Sequence, residues 1–526
     1  MLPHTVTSSD RKTLTQFIWS AEKEMKGYEG EISRLKLAIL ALETKRNRLK
    51  KKIEGYRSLL SPIHQLPPEI LFNIFKPLCD KTELERTKRP PALTVSAVCK
   101  RWRNISLSVP SLWSSFEIVL YTWKGHFQKL ARLIQLFLDR SKEALLTLVL
   151  HLNLVPPSEP HLIEVLTTII QSSERWVSVT MSVGVSEMLH RHIVFSALKN
   201  RLPKLEHLQI INAYIYDDDN LRELDCFSSC PALHNVTLRH VDLEPILVLP
   251  WNQITSLELE FMRSDDARLF LSSCSRLITL RLIGTGEDPE DNPHPTPERL
   301  LKPATLDVKD LSITAWHLIH INFPFQSLTL PQMTSLSVRG DESREYRDCT
   351  DYTEIDSEPI CDFIIRSACC LTSLHMKWVP FTDEQILSLL RLLPTLKILS
   401  LEEFADCSTN GTANSMLTPS FLRHLSITAE HDDPGDLSSS SPLVPRLTDL
   451  NLAIHAGKDD ENEALVTMLT TRLLLDEAVD AGVDVLETVS LAIISYEPDE
   501  LSSSPFGQSL NGFVEAGLRV KISYVE

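Results

Sequence analysis

One short pattern recurs through most of the chain: leucine, two residues, leucine, one residue, leucine, with other apolar residues replacing some of the leucines. Clear copies begin at Leu205, Leu233, Ile254, Leu277, Met333, Leu371, Leu396, Leu422, Leu447 and Leu486, and weaker copies begin at Leu145, Trp176 and Val308. Most neighbouring copies are separated by roughly 21–31 residues. A unit of this size cannot bury its own apolar side, so successive units must stack on one another.

The segments between copies have the spacing of amphipathic helices, for example residues 161–170 and 383–392. Strand and helix in regular alternation predict an α/β fold in which a curved parallel sheet is lined by helices. The pattern resembles a leucine-rich repeat in a degenerate form, because Ala213, Val241 and Met262 stand where asparagine or cysteine is usual. The resemblance implies a solenoid over residues 113–526 that holds a target protein. Unrelated strands in ordinary α/β domains are the alternative.

The residues that flank the repeat leucines should form the exposed face of this sheet. The candidates for target binding are Arg239, Arg281, Arg339, His375, Lys377 and Trp378. They are mostly basic in a chain whose net charge is −17, although Glu258, Glu260 and Glu402 lie among them. This pattern favours an acidic or phosphorylated target segment. Side chains that are merely solvated are the alternative.

A second motif lies near the amino end, where two apolar segments are separated by a charged stretch. In the first, the Pro67-Pro68 pair and Glu69 suit the start of a helix. Its apolar stripe ends near Pro77, and a second helix is predicted through Val95 and Trp102. The positions that carry the motif are Leu66, Pro67, Ile70, Leu71, Ile74, Phe75, Val98 and Trp102.

These residues resemble the F-box, and the continuation Val109-Pro110-Ser111-Leu112-Trp113 is similar to F-box proteins of mushroom-forming fungi. The resemblance implies a small all-α F-box over residues 62–112 that docks on a Skp-type adaptor and, through it, on a cullin-based ubiquitin ligase. It places the eight residues above at or beneath the adaptor surface. A small helical core that packs only on its neighbours is the alternative.

Residues 11–61 carry a heptad repeat. Apolar residues alternate in steps of three and four, and isoleucine dominates one core row while leucine dominates the other. This spacing predicts a coiled coil. In a parallel pair Lys45 would face Lys50, whereas an antiparallel pair centred near Ala38 sets Glu24 against Lys52. The charges therefore favour antiparallel self-association, and a lone helix or a different protein partner is the alternative.

The composition narrows the function classes. A net charge of −17 disfavours general nucleic-acid binding, and no run approaches the roughly 20 apolar residues of a membrane span. The ten cysteines lack zinc-site spacing, and catalytic and nucleotide motifs are missing. We therefore expect that the protein is not an enzyme and that it binds no cofactor, metal ion, membrane or nucleic acid. We also expect a cytoplasmic or nuclear location.

Together these features predict the substrate-recognition adaptor of a Skp/cullin/F-box ubiquitin ligase. The F-box would bind the adaptor, the repeats would bind a protein substrate, and catalysis would come from other subunits. The alternative is a non-catalytic scaffold that assembles through the coiled coil without cullin.

Overall fold

The computed structural model describes residues 8–152, 161–182, 193–213, 225–241, 247–286, 303–315, 319–340, 357–403, 416–427, 442–455, 459–473, 482–494, 509, 512–513 and 519–524. The chain divides into two compact units, Met1–Lys76 and Pro77–Glu526.

The first unit is dominated by one long helix, α1 (Ser8–Leu59), of 52 residues. A short 3₁₀ helix (Pro62–His64) follows, and the unit ends within helix α2 (Pro68–Cys79). The side chains that are described along α1 are exposed, including those of the predicted heptad rows. A helix with this much exposed apolar surface does not contribute to a core of its own.

The second unit alternates helices with strands. Its helices are α3 (Pro91–Val98), α4 (Lys100–Ser108), α5 (Phe127–Ser141), α6 (Leu162–Ile170), α7 (Ile193–Ser196), α8 (Ser264–Ser273), α9 (Ile319–Ser327), α10 (Glu358–Ser367), α11 (Asp383–Arg391), α12 (Pro419–Leu425) and α13 (Asp459–Leu473). Its strands are β1 (Thr82–Leu84), β2 (Ser115–Val119), β3 (Leu146–His151), β4 (Trp176–Ser182), β5 (His207–Ala213), β6 (Asn235–Val241), β7 (Ser256–Glu260), β8 (Thr279–Ile283), β9 (Ala304–Thr305), β10 (Asp310–Thr314), β11 (Leu328–Thr329), β12 (Ser335–Arg339), β13 (Ser373–Lys377), β14 (Ile398–Glu402), β15 (Asp449–His455), β16 (Thr488–Ile494) and β17 (Arg519–Tyr524).

One parallel sheet organises this unit. Within the described residues it has 15 strands whose spatial order follows the chain from β1 to β17, while β9 and β11 form a separate pair. The strands pair in parallel throughout, for example Leu257 with Leu280 and Leu336 with Leu374. The predicted mixed α/β class, with a long amino-terminal helix and a parallel sheet, is confirmed.

The repeat leucines explain why the sheet forms. Strand residues alternate between buried and half-buried, so each buried row runs across neighbouring strands. In one row Leu238, Leu259 and Leu282 are in register and almost completely buried. Helices cover this side of the sheet near its start, where the rings of Phe116 in β2 and Phe137 in α5 are 5.5 Å apart. The opposite side, here called the polar face, carries the alternating half-buried residues.

The structure corrects several predicted elements. The copy at Leu422 lies in helix α12 and supplies no strand, so β14 pairs directly with β15. Helix α2 continues past Pro77 to Cys79. The predicted second helix is two helices, because Cys99 is extended, with φ −154° and ψ 170°.

The region predicted as an all-α F-box also contains a strand. β1 has buried Thr82 and Leu84 on either side of exposed Glu83, and it pairs in parallel with β2. This alternation lies in a charged stretch where the helical pattern of the sequence stops.

Among the described residues, none of the helices combines the length and apolar character needed to cross a bilayer.

Candidate functional site

Helix α2 has a buried side and an exposed side. Leu71 and Phe75 are buried, whereas Ile70 and Ile74 are 44% and 47% exposed. The exposed pair is one helical turn apart, so the two side chains lie on the same face of the helix. Before the helix, Pro67 is exposed and Leu66 is half-buried. The predicted motif residues therefore divide into a core set and a surface set.

The junction between α3 and α4 holds the two remaining motif residues. Val98 ends α3 and is 59% exposed. The amide of Trp102 donates to Sγ of Cys99 at 3.4 Å, so the cysteine caps the start of α4 and Trp102 is half-buried. Arg103 Nε donates to the carbonyl oxygen of Ser96 at 2.9 Å, which ties α4 back to α3. These contacts hold the backbone in place on both sides of exposed Val98.

Two buried tryptophans hold together elements at the start of the second unit. Trp113 Nε1 donates to the carbonyl oxygen of Ser106 at 2.7 Å, and its ring lies 5.2 Å from that of Phe137. Trp123 Nε1 donates to the carbonyl oxygen of Leu84 at 2.9 Å. Both indoles are buried with their N–H groups satisfied, so Trp113 ties α4 to α5 and Trp123 ties the end of β1 to the segment after β2.

On the polar face, two of the predicted basic residues pair with glutamates of neighbouring strands. Arg239 Nε lies 3.2 Å from Glu260 Oε1, and Arg281 Nη1 lies 3.3 Å from Glu258 Oε2. Each pair consists of directly opposed residues in the parallel register. Burial raises the pKa of Glu260, with Arg239 opposing that rise and Glu258 adding to it. The charges on β6, β7 and β8 are thus largely compensated by each other.

A cationic and aromatic group lies farther along the same face. Arg339 and Lys377 are opposed on β12 and β13, with the charged ends of their side chains 5.0 Å and 4.1 Å from the ring centroid of Trp378. Lys377 Nζ is also 2.8 Å from Glu402 Oε1. Trp378 adopts a positive φ of 58° directly after β13. The structure therefore brings three of the six candidate residues into one group.

His375 lies on the same strand as Lys377. Its Nε2 is 2.8 Å from Oγ of Ser373, and burial lowers the pKa of its imidazole. The neutral form is favoured, so His375 contributes hydrogen bonding to this face more than charge.

Two groupings of side chains were not predicted. His240 stacks on Phe261 with ring centroids 4.4 Å apart, and Arg239 lies over the same ring at 5.7 Å. A second group consists of Glu206, His207 and His234, which could hold a metal ion. One ligand atom from each residue can be chosen so that all three lie within 4.8 Å of one another. Both groupings depend on strand register, which the sequence does not contain as a local signal.

Comparison with known proteins supports the assignment of the amino-terminal motif. Residues 63–118 match the F-box-like family, a region that includes α2, β1, α3, α4 and the start of the sheet. A comparison with curated proteins gave no match to the chain. The chain thus contains an F-box-like domain, which supports its assignment as an F-box protein.

Proposed function

We propose that the protein is the substrate-recognition adaptor of a Skp/cullin/F-box ubiquitin ligase. The observation that carries the proposal is the F-box-like match over residues 63–118, because F-box domains bind Skp-type adaptors. The proposed role needs no chemistry from this chain, since a receptor acts by raising the local concentration of its target near the ligase.

The proposed adaptor contacts are the exposed motif residues Pro67, Ile70, Ile74 and Val98. The remaining motif residues, Leu66, Leu71, Phe75 and Trp102, are proposed to lie at or beneath the adaptor surface. Replacing isoleucine by alanine removes three carbon groups, each worth about 0.8 kcal/mol when fully buried. Since Ile70 and Ile74 are about half exposed, each substitution should cost roughly 1.2 kcal/mol of binding free energy. Together they should weaken adaptor binding about 50-fold.

The test is capture of adaptor and cullin by the full chain, comparing wild type with the Ile70→Ala, Ile74→Ala double variant. Ile365→Ala is the matched control, because Ile365 is an isoleucine of α10 that is 62% exposed. We expect wild type and control to capture both proteins and the double variant to lose both. Equal capture by all three chains would refute the adaptor surface.

The sheet is proposed to be a degenerate leucine-rich repeat that holds the target protein on its polar face. The parallel order of the strands and the buried leucine rows support this proposal. Of the six candidates, Arg339, Lys377 and Trp378 form the best binding group. Arg239 and Arg281 already pair with glutamates, and His375 favours its neutral form. An acidic segment would displace Glu402 from Lys377.

Proximity labelling by the full chain can test this target surface. The double variant Arg339→Glu, Lys377→Glu should lose labelled proteins that wild type retains. Lys309→Glu is the control, since Lys309 is an exposed lysine just before β10. An unchanged set of labelled proteins in the double variant would contradict an acidic target at this position.

A scaffold that assembles through α1 without cullin is the second candidate, and the exposed heptad rows of the 52-residue helix favour it. Capture of the adaptor without cullin would support this alternative over the ligase.

We further propose that α1 pairs antiparallel with a second copy, because the pairing sets Glu24 against Lys52 and Glu31 against Lys45. Single cysteines at Ala38 and Glu24 test it by oxidative crosslinking. Antiparallel pairing predicts crosslinks at Ala38 and none at Glu24, each relative to the unsubstituted chain. Crosslinks at Glu24, with or without crosslinks at Ala38, would refute it.

A further inference from the structure

Three side chains able to bind metal meet where β5 and β6 begin. Glu206 precedes β5, His207 is its first residue, and His234 precedes β6. His207 Nε2 lies 3.9 Å from Glu206 Oε2, and the two imidazole rings have centroids 5.3 Å apart. One ligand atom from each residue can be chosen so that all three lie within 4.8 Å of one another. The parallel pairing of two strands, and not sequence proximity, creates this group.

The backbone beneath the group is held on both sides. The amides of His234 and Asn235 donate to the carbonyl oxygen of Glu206 at 3.2 Å and 3.1 Å. The carbonyl oxygen of His234 in turn accepts from the amides of Thr255 and Ser256, both at 3.0 Å. Ligands on a backbone fixed in this way need to move only their side chains to close around an ion.

The ring of His234 already has the outer hydrogen-bond partner that metal-binding histidines usually have. Its Nδ1 lies 2.9 Å from the carbonyl oxygen of Ala232. A carbonyl oxygen can only accept, so Nδ1 carries the hydrogen in this contact, and Nε2 of the neutral ring is left as the nitrogen that can bind an ion. Metal-ligating histidines almost always donate their second ring N–H to such an outer partner, which fixes both the tautomer and the ring direction.

We propose that Glu206, His207 and His234 bind a divalent transition-metal ion of the zinc class. Two imidazoles and one carboxylate suit Zn²⁺ better than Mg²⁺ or Ca²⁺, which prefer oxygen ligands. Zinc bonds of about 2.0–2.1 Å in a tetrahedron set ligand atoms about 3.4 Å apart. One set of ligand atoms here lies within 4.8 Å of one another, so the side chains must move closer to surround an ion. Side-chain rotation can supply this movement, because Glu206 and His207 are each 46% exposed.

Three protein ligands leave one position of a tetrahedral ion open. His207 also lines a polar pocket of about 140 Å³, together with Thr180, Gln209 and Thr237. The pocket gives room for water on the ion or for a donor group from a bound protein. The ion would therefore link β5 to β6 and place an open coordination position on the polar face. This inference is independent of the proposed ligase role.

The test is titration of the metal-free full chain with Co²⁺, followed by displacement with Zn²⁺. Histidine and carboxylate ligands give visible d–d bands without the thiolate charge-transfer band that cysteine sites produce. We expect one ion per chain, and affinity at least about 10-fold weaker in His207→Gln and in His234→Gln. His161→Asn is the matched control, because His161 also lies beside a carboxylate, with Nδ1 3.4 Å from Glu164 Oε2.

Affinity that is equal in all four chains, or a thiolate spectrum, would overturn the proposal. Circular dichroism without metal should be the same for wild type and variants, so that lost binding reports lost ligands. A second measurement uses wild type alone: Zn²⁺ should protect His207 and His234 from diethyl pyrocarbonate while His161 still reacts. Equal modification of all three histidines with and without Zn²⁺ would also overturn the proposal.

Discussion

The most informative stability prediction concerns Arg472, a buried arginine in α13. Its side chain is 1% exposed and donates to three backbone carbonyl oxygens: Nε to Leu425 at 2.6 Å, Nη2 to Leu443 at 2.6 Å and Nη1 to Val444 at 3.3 Å. Burial lowers the pKa of the guanidinium to about 10, so it remains charged at neutral pH. Arg472 thus joins the end of α12, the segment before β15 and its own helix.

The cost of Arg472→Met can be estimated from these bonds. Each carbonyl left buried without a donor costs about 1–3 kcal/mol, and three of them set an upper range of roughly 3–9 kcal/mol. Methionine fills part of the space and removes a charge whose burial was itself unfavourable, which reduces the net loss. We therefore expect about 3–5 kcal/mol, in the lower half of that range.

Hydrogen–deuterium exchange of the full chain can measure this loss locally. A loss of 3 kcal/mol corresponds to roughly 100-fold faster exchange in α12 and α13. Arg446→Met is the control, because Arg446 is 64% exposed and its Nη1 is 3.7 Å from Asp484 Oδ2, so it should change exchange little. An increase below about fivefold in Arg472→Met would show that water or relaxation satisfies the three carbonyls, and would refute the estimate.

Gly340, His375 and the cysteines offer tests at single positions. Gly340→Ala should cost about 1–3 kcal/mol and lower the melting temperature, because a Cβ there would lie 2.1 Å from the carbonyl oxygen of Trp378; an unchanged melting temperature would contradict it. Burial lowers the pKa of His375 below its ordinary value of about 6.5, so the unfolded chain binds the proton more readily. Stability should therefore fall as pH drops below about 6.5, less so in His375→Gln, and equal urea midpoint shifts between pH 7 and 5.5 would argue against this. Iodoacetamide should modify exposed Cys370 well before Cys274, whose pKa burial raises to about 12, and mass spectrometry showing early Cys274 modification would contradict its burial.

The sheet could be predicted from sequence because its signal is repeated and periodic. Leu257, Leu280 and Leu336 occupy equivalent places in three units, and each is buried in the same row. The copy at Leu422 failed because leucines three residues apart also fit one turn of a helix. Thr418 caps that helix, with its Oγ1 accepting from the amide of Phe421 at 3.1 Å. A local capping signal therefore outweighed the repeat spacing.

The candidate surfaces were less predictable than the strands that carry them. Sequence spacing identified Arg239 and Arg281 as residues of the exposed face, but register decides that Glu260 and Glu258 lie opposite them. The group formed by Glu206, His207 and His234 escaped the search for metal sites for the same reason. Pairing between strands is a long-range property, whereas the motifs that the sequence offers are local.

The F-box motif shows how far a family pattern can be carried into mechanism. The pattern treats Leu71 and Ile70 alike, yet Leu71 is fully buried and Ile70 is 44% exposed. Removing Leu71 would create a cavity, so lost adaptor binding in such a variant could not be separated from lost folding. Removing Ile70 and Ile74 changes mainly the surface. Exposure therefore decides which motif residues can be used to test adaptor binding. Substitutions of exposed Ile70 and Ile74 give the most direct test of the proposed function.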